Sequence, residues 1–399
     1  MLKSQLPEGG GNLFQNIKAM CLEAEQSGVK LWRLSIGQPK GPALLSARQA
    51  AAQTIMSDEE RVHEYQDNGS PGCLDFASRF VQAHVKRALQ GHKIAFLPTP
   101  GTKSMLGLIP MACGGFSGRR IKVATMTAPG YPTPAVWTKY LDNGHCALPT
   151  NSQNQFLFEP TKKIDREVKL VMANYPHNPS GQVATRKYWE EICEFCERAG
   201  IRLFNDAAYA MLVYQQEGEE QICPLTEVAV DYPELSWAEA FSASKAIANG
   251  TGWRIGAICG SPDFVGDIAT IKGETDSGFN AALATGVLYA VEHDQAGIAA
   301  CRRQYETRIH LLIGYLESSG MQLAVKPKAG FFTLWKVPRV AFGQSVINAE
   351  HFNRLMIAET GIVGVHFHPY IRYAVTSPIE EFDFMQAIVA GFKKAQVSY

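Results

Sequence analysis

The stretch Phe241-Ser242-Ala243-Ser244-Lys245-Ala246-Ile247-Ala248-Asn249-Gly250-Thr251-Gly252-Trp253-Arg254-Ile255-Gly256 decides how the rest of the chain reads. It continues an apolar run that has the composition of a strand. Lys245 sits just past two serines, and Arg254 follows nine residues later in a glycine-rich turn. Hydroxyls and a guanidinium can hold a phosphate, while a lysine amine held beside them can add to an aldehyde. Taken alone, the segment could equally be a surface lysine next to a glycine turn. Four other segments supply the missing parts of one site.

Working outward, short apolar runs alternate with amphipathic ones. Strand candidates are 94–98, 121–127, 168–174, 201–205, 238–242 and 255–260, with helix candidates at 74–89, 103–112, 132–141 and 185–199. Such alternation predicts an α/β unit with a mostly parallel sheet, in which ligands bind beyond the carboxyl ends of the strands. After about Ala290 the pattern changes. Helical segments at 294–318 and 347–359 flank strand-like ones at 330–336, 361–366 and 370–375. We read residues 46–290 as a large unit, and 1–45 together with 291–399 as a smaller α+β domain.

The chain has 399 residues, 46% hydrophobic and 19% charged, with Lys+Arg and Asp+Glu equal at 38 each. This balance gives no electrostatic footprint for nucleic acid or an anionic membrane surface. No signal-peptide core opens the chain, and no run of about 18 apolar residues could span a bilayer. Nine cysteines, an odd and scattered set, point away from a disulfide framework and toward a reducing, cytoplasmic location. Cys193 and Cys196 form a CxxC on the 185–199 helix. Ile192, Phe195, Cys196 and Ala199 fall on one helical face, so core packing is the reading and no metal is expected.

A lysine amine beside a phosphate clamp fits pyridoxal 5′-phosphate, a cofactor that forms a Schiff base with lysine. Each need of that cofactor has a candidate. Its ring nitrogen needs a buried carboxylate, and Asp206 ends the run Ile201-Arg202-Leu203-Phe204-Asn205. Tyr209, three residues on, could reach the ring hydroxyl. Asn178, in the turn Asn174-Tyr175-Pro176-His177-Asn178-Pro179-Ser180-Gly181, could offer its amide to the same oxygen. The phosphate needs donors at a helix start, which Thr102 and Lys103 supply after Pro100-Gly101. Tyr131, in Ala128-Pro129-Gly130-Tyr131-Pro132, could cover the ring. Arg372, flanked by apolar residues in Pro369-Tyr370-Ile371-Arg372-Tyr373-Ala374-Val375, would be costly in a strand unless paired, and its planar fork suits a carboxylate.

Together these segments resemble the class I/II aminotransferases, fold type I pyridoxal-phosphate enzymes related to aspartate aminotransferase. The resemblance runs from about Leu34 to about Val375, with the motifs in the family's order. It implies a seven-stranded, mostly parallel sheet covered by helices. It implies Lys245 as Schiff-base lysine and proton shuttle, Ser242 and Arg254 on the phosphate, and Asp206 on the ring nitrogen. Asn178 and Tyr209 would bind the ring oxygen, with Tyr131 stacked on the ring. Arg372 would clamp the substrate's α-carboxylate, helped by the backbone of Gly37. Tyr65 matches a tyrosine that reaches the phosphate from the other subunit, which implies a homodimer with shared sites.

Three departures stand out: Ser180 where threonine is usual, no arginine in the stretch after Leu74, and a short segment before Arg372. In that segment His366 and His368 alternate and would share a strand face. The loop Gly101-Thr102-Lys103-Ser104 resembles that of the LL-diaminopimelate aminotransferases, while the rest of that subgroup's pattern near Gly37 is absent. The reaction expected is amino transfer between an L-amino acid and a 2-oxo acid; a lyase, cyclase or oxidase on the same scaffold is the alternative. A regulator built on this fold would need a DNA-binding domain ahead of it, for which Leu34 leaves no room. A nicotinamide site is disfavoured because no GxGxxG links a strand to a helix.

Overall fold

The computed structural model describes residues 13–399 except 70, 117, 161–163, 165–166 and 215–220. Its centre is a seven-stranded sheet made of β1 (Ala95–Thr99), β2 (Lys122–Ala128), β3 (Gly144–Pro149), β4 (Val168–Ala173), β5 (Arg202–Asp206), β6 (Trp237–Ser242) and β7 (Gly256–Gly260). The spatial order is β1-β7-β6-β5-β4-β2-β3. Every pair is parallel except the two made by β7. A parallel sheet is covered on both faces, so its strands read as apolar runs. Here Leu170, Met172, Phe204, Ala240 and Ile258 face one helical layer with Ile109, Phe264 and Ile268. Val171, Leu203, Phe241 and Ala257 face the other, with Phe76, Trp189 and Val287.

The second sheet is antiparallel and four-stranded: β8 (Leu323–Val325), β9 (Phe332–Lys336), β10 (Val365–Phe367) and β11 (Tyr370–Ala374), in the order β10-β11-β9-β8. The long helix Gln295–Glu317 and the helices Ala349–Thr360 and Phe382–Ala395 pack on it around Trp335, Phe352, Tyr373 and Phe392. The segment Trp32–Arg33 pairs in parallel with Ile362–Val363. Hydrogen bonds from Ala374 N to Leu34 O (2.6 Å) and from Thr376 Oγ1 to Ile36 O (2.9 Å) then carry residues 34–37 past β11.

Four local readings need correction. The edge strand β3 is absent from the local strand candidates: Gly144, His145 and Ala147 are exposed, which removes the apolar signature of a buried strand. The 74–89 helix stops at Gln82 although its apolar spacing continues. The Gln82 amide bonds Leu89 N (3.0 Å) and Arg87 O (3.0 Å), and Glu227 takes Lys86 N at 2.6 Å, so tertiary capture overrides propensity. The 361–366 strand is broken at Gly364, whose N–H and C=O are both held by the Asn353 amide (2.9 and 3.1 Å). Because β10 ends at Phe367, His368 lies in the turn and does not share a strand face with His366.

On the helix Arg186–Ala199 the buried stripe is Trp189, Ile192, Cys193 and Cys196, while Ala199 is exposed in the last turn before Gly200. Cys193 and Cys196 are 0% and 1% exposed, and burial pushes the Cys196 thiol up to about 12. Inaccessible, protonated thiols are inert. The expected outcome is that a thiol reagent leaves both unmodified in the native protein and labels them on unfolding; labelling of either in the folded protein contradicts their place in the core.

Candidate active site

The carboxyl ends of β2, β4, β5 and β6, and the loop after β1, open onto one cavity of about 700 Å³ that also meets β9 and β11 of the second sheet. Eleven of the twelve site residues expected from sequence line it: Gly37, Thr102, Lys103, Tyr131, Asn178, Asp206, Tyr209, Ser242, Lys245, Arg254 and Arg372. Tyr65 is the exception. It is 81% exposed, away from the cavity of its own chain.

At one pole lies Arg372, 1% exposed and on the central strand of the smaller sheet. Its Nη1 donates to Asn178 Oδ1 (2.9 Å) and its Nη2 to Ser35 O (3.0 Å), while its Nε has no partner. The guanidinium lies 4.1 Å from the Phe332 ring centroid, a cation–π contact that offsets part of its desolvation. Among the described residues it pairs with no carboxylate. Burial holds its pKa down at about 10. A Cβ on Gly37 would come 3.3 Å from Phe332 and 3.9 Å from Arg372 Nη2, so any larger residue there narrows the approach to the guanidinium.

At the other pole the chain builds an anion cradle. Arg254 has a φ of +54°, unusual for a non-glycine residue. This turns its guanidinium toward Ser244 Oγ (3.4 Å), Thr251 O (2.9 Å) and Pro100 O (3.4 Å). Gly101, at φ +79°, lies so close that a Cβ would overlap the Arg254 guanidinium. Ser242 caps the short helix Ala243–Ala246, its Oγ accepting from Ser244 N at 3.2 Å. Thr102 and Lys103 begin the helical segment after β1. The sequence pattern predicts one helix over 103–112. Residues 103–107 instead form a 3-10 turn before Leu108–Ala112, and Pro110 lacks the N–H that a continuous α-helix would use.

Between the poles sit Lys245 and Asp206. Burial lowers the Lys245 pKa to about 8, against the opposing pull of Asp206 and with Arg254 adding to the depression. Burial raises Asp206 to about 6, with Lys245 and hydrogen bonds from Ala208 and Thr102 pulling the other way. Asp206 Oδ1 is buried without a partner. A buried acceptor left open is costly unless a ligand donor completes it. Tyr209 stands edge-on to Phe331 and Phe332, and Lys245 Nζ lies 5.3 Å from its ring centroid. The arrangement fits a cofactor with a phosphate, a protonated ring nitrogen and a carbonyl within reach of an amine.

Several contributors escape a reading of the sequence. Asn174 donates to Asp206 O (2.8 Å) and accepts from Asn178 N (3.1 Å), tying the two ring-binding segments together. Ser244, not Ser242, is the hydroxyl facing Arg254. Phe14, Ile17, Lys18 and Cys21 line the mouth from the helix Leu13–Gln26. Their i, i+3, i+4, i+7 spacing is a visible signal.

The family model described as aminotransferase class I and II matches residues 29–378. An LL-diaminopimelate aminotransferase of Methanocaldococcus jannaschii is 31% identical over 286 residues, 68% of this chain and 66% of that one. Its counterpart from Methanococcus maripaludis, at 32%, is matched over 56% of its length. The chain thus spans less than two thirds of the length of these two relatives. An LL-diaminopimelate aminotransferase of Moorella thermoacetica is 27% identical over 91% of both chains. Among solved structures, apo-BacF from Bacillus subtilis superposes with a TM-score of 0.82 at 19% identity, covering 99% and 98% of the two chains. Aspartate aminotransferase from Thermus thermophilus with maleate gives 0.80 at 17%, over 99% and 100%. These likenesses show the fold.

A lysine held at about 8 implies a stability cost in the cofactor-free protein. The unfolded chain keeps its lysine protonated up to about pH 10.4, so between those values the unfolded state binds more protons and stability rises with pH. At pH 7 the full cost is present. The cofactor-free variant Lys245→Met should be more stable than the cofactor-free parent by about 3 kcal/mol at pH 7. That difference should shrink as pH rises from about 8 toward about 10.5. Denaturant titrations at several pH values check this; a difference independent of pH would contradict the assigned burial.

Proposed function

The chain belongs to the aminotransferase class I and II family, and we propose that it moves an amino group between an L-amino acid and a 2-oxo acid in a ping-pong cycle, with pyridoxal 5′-phosphate as cofactor. One observation carries the reading: Arg372, buried and paired with no carboxylate among the described residues, lines the same cavity as Lys245, whose amine burial brings down to about 8. When bound, the cofactor supplies a carbonyl that condenses with amines and a cationic ring that draws off the electron pair left by a departing α-proton.

The residues then take these parts. Lys245 Nζ would anchor the cofactor, take the α-proton of the bound amino acid and deliver it to the cofactor's carbon, work that suits an amine brought down by burial to about 8. Asp206 Oδ1 accepts from the ring N–H and keeps that proton in place. Asn178 and Tyr209 donate to the ring oxygen, and Tyr131 covers a ring face. Thr102, Lys103, Ser242 and Arg254 hold the phosphate. Arg372 forks onto the α-carboxylate of the substrate beside the backbone of Gly37.

A homodimer with shared sites belongs to the same reading. Tyr65 is exposed, yet its neighbour Gln66 is 2% exposed and anchors the loop through Arg61 O (2.9 Å), Glu64 O (2.8 Å) and Gly72 N (2.8 Å). A loop pinned through Gln66 that displays a tyrosine outward suits delivery to a partner's phosphate site. Residues 46–290 would carry the cofactor, with 1–45 and 291–399 as the smaller domain, of which residues 1–12 lie outside the described residues. The nine free thiols support a cytoplasmic setting, and no described helix is long and apolar enough to cross a membrane. The names of the curated relatives put LL-diaminopimelate first among amino donors to try.

Lys245→Ala should lower kcat by about 10²- to 10⁴-fold while the variant still binds cofactor, read by absorption. Arg372→Lys should raise the KM for the amino donor by roughly 10- to 100-fold, because a single ammonium replaces a charged two-pronged hydrogen bond. Full activity in the first variant, or an unchanged KM in the second, would remove these residues from the roles given.

A further inference from the structure

The strand β6 runs Trp237-Ala238-Glu239-Ala240-Phe241-Ser242, and all six residues are buried. Glu239 thus places a carboxylate, 0% exposed, in the interior of the sheet, in register with Asn205 on β5 and Cys259 on β7. No ion pair to it forms among the described residues. Four donors converge on it instead. Its Oε1 accepts from Asn205 Nδ2 (2.7 Å) and Leu225 N (3.1 Å), and its Oε2 accepts from Thr226 N (2.8 Å) and Thr226 Oγ1 (2.7 Å). Three of these groups, Asn205 Nδ2, Leu225 N and Thr226 N, can only donate, while Thr226 Oγ1 also lies 3.1 Å from Cys259 Sγ; so donor-rich a set suits the ionised carboxylate. Burial pushes its pKa up, and these same hydrogen bonds oppose that rise.

What the charge accomplishes is visible one residue away. Glu239 Oε1 is an acceptor for Asn205, which turns its Nδ2 toward it. The Asn205 amide is then oriented to receive Tyr175 N on Oδ1 (2.8 Å) and to share Nδ2 with Tyr175 O (3.0 Å). Tyr175 is therefore gripped at both backbone polar atoms. On either side of it in the turn, Asn174 holds Asp206 O and Asn178 N, and Asn178 Oδ1 holds Arg372 Nη1. The run Glu239–Asn205–Tyr175–Asn178–Arg372 is a continuous set of groups from the sheet interior to the cavity, joined by hydrogen bonds and by the backbone of the turn.

We propose that Glu239 is a positioning residue: its buried carboxylate, acting through Asn205, sets the turn that carries Asn178 and thereby aims the Arg372 guanidinium at the substrate carboxylate. The inference rests on the role given to Arg372. A carboxylate kept only to stabilise the sheet would affect unfolding. One that aims Arg372 affects carboxylate binding.

The test uses the cofactor-loaded, full-length protein and the variants Glu239→Gln and Asn205→Ala. The Glu239→Gln side chain keeps the shape but adds an N–H, which leaves at least one converging donor facing another. Three quantities are read: KM and kcat for the amino donor, the inhibition constant of propionate as a carboxylate without an amine, and the thermal midpoint. Both variants should raise KM and the propionate constant together by about threefold to tenfold, with kcat changed less than about twofold. The double variant should show no more than the larger single effect, because both act through one chain of contacts. If Glu239→Gln does not fold, Asn205→Ala alone gives the same reading. A fall in the thermal midpoint with KM and the propionate constant unchanged overturns the proposal, as does full additivity. Arg372→Lys run in parallel separates the two claims: if it raises KM while Glu239→Gln and Asn205→Ala do not, only the positioning role of Glu239 falls.

Discussion

A fully buried guanidinium that meets no carboxylate among the described residues is the constraint around which this molecule is arranged. Arg372 sits at 1% exposure with one nitrogen unpartnered. Such burial costs several kcal/mol when it is not fully compensated. The surroundings recover part of that through the Phe332 face, Ser35 O and Asn178 Oδ1, each brought by a different element. The hairpin β10–β11 positions the arginine, the pairing of 32–33 with 362–363 brings Ser35 and Gly37, and the turn after β4 brings Asn178. In the proposed function a substrate carboxylate would supply the remaining compensation. In that reading, the cost of burying Arg372 becomes affinity for a substrate carboxylate.

The second pole follows from sheet geometry. Parallel strands place all their carboxyl ends on one side, so the loops after β2, β4, β5 and β6 bring Tyr131, Asn178, Asp206 and Lys245 together although they are far apart in the chain. The Asn174–Asn178 turn belongs to both poles. It holds the main chain at Asp206 on one side and the Arg372 side chain on the other. The groups proposed to face cofactor and substrate are therefore mechanically joined, which suits chemistry that must hold a carboxylate and a reacting α-carbon in one fixed relation.

Most of this site is legible because its residues come in strings. Lys245 with Arg254, Asp206 with Tyr209 and the Asn174–Gly181 turn each follow an apolar run, and each reaches the cavity. The partnerships are not legible. Asn178 reads as a donor for a ring oxygen, but the contact with Arg372 joins residues 194 apart, beyond any local pattern. Glu239 interrupts an apolar strand, a visible anomaly whose partners come from other segments. The edge strand β3 lacks an apolar signature because half of it faces water. The 74–89 helix ends early because a glutamate from another segment captures its backbone, which no propensity could show. Tyr65 lies outside its own chain's cavity, and only the resemblance to known enzymes gives it a role.

A single half-reaction decides between amino transfer and its alternatives. The purified, cofactor-loaded protein is mixed with one L-amino acid at a time, LL-diaminopimelate included, with no oxo acid present, and absorption is followed to completion. The expected result is conversion of the cofactor to its amine form with one equivalent of 2-oxo acid released per site, and no ammonia. Ammonia accumulating over many turnovers while the cofactor spectrum returns to its starting form would contradict amino transfer, and would make the protein a lyase or an oxidase.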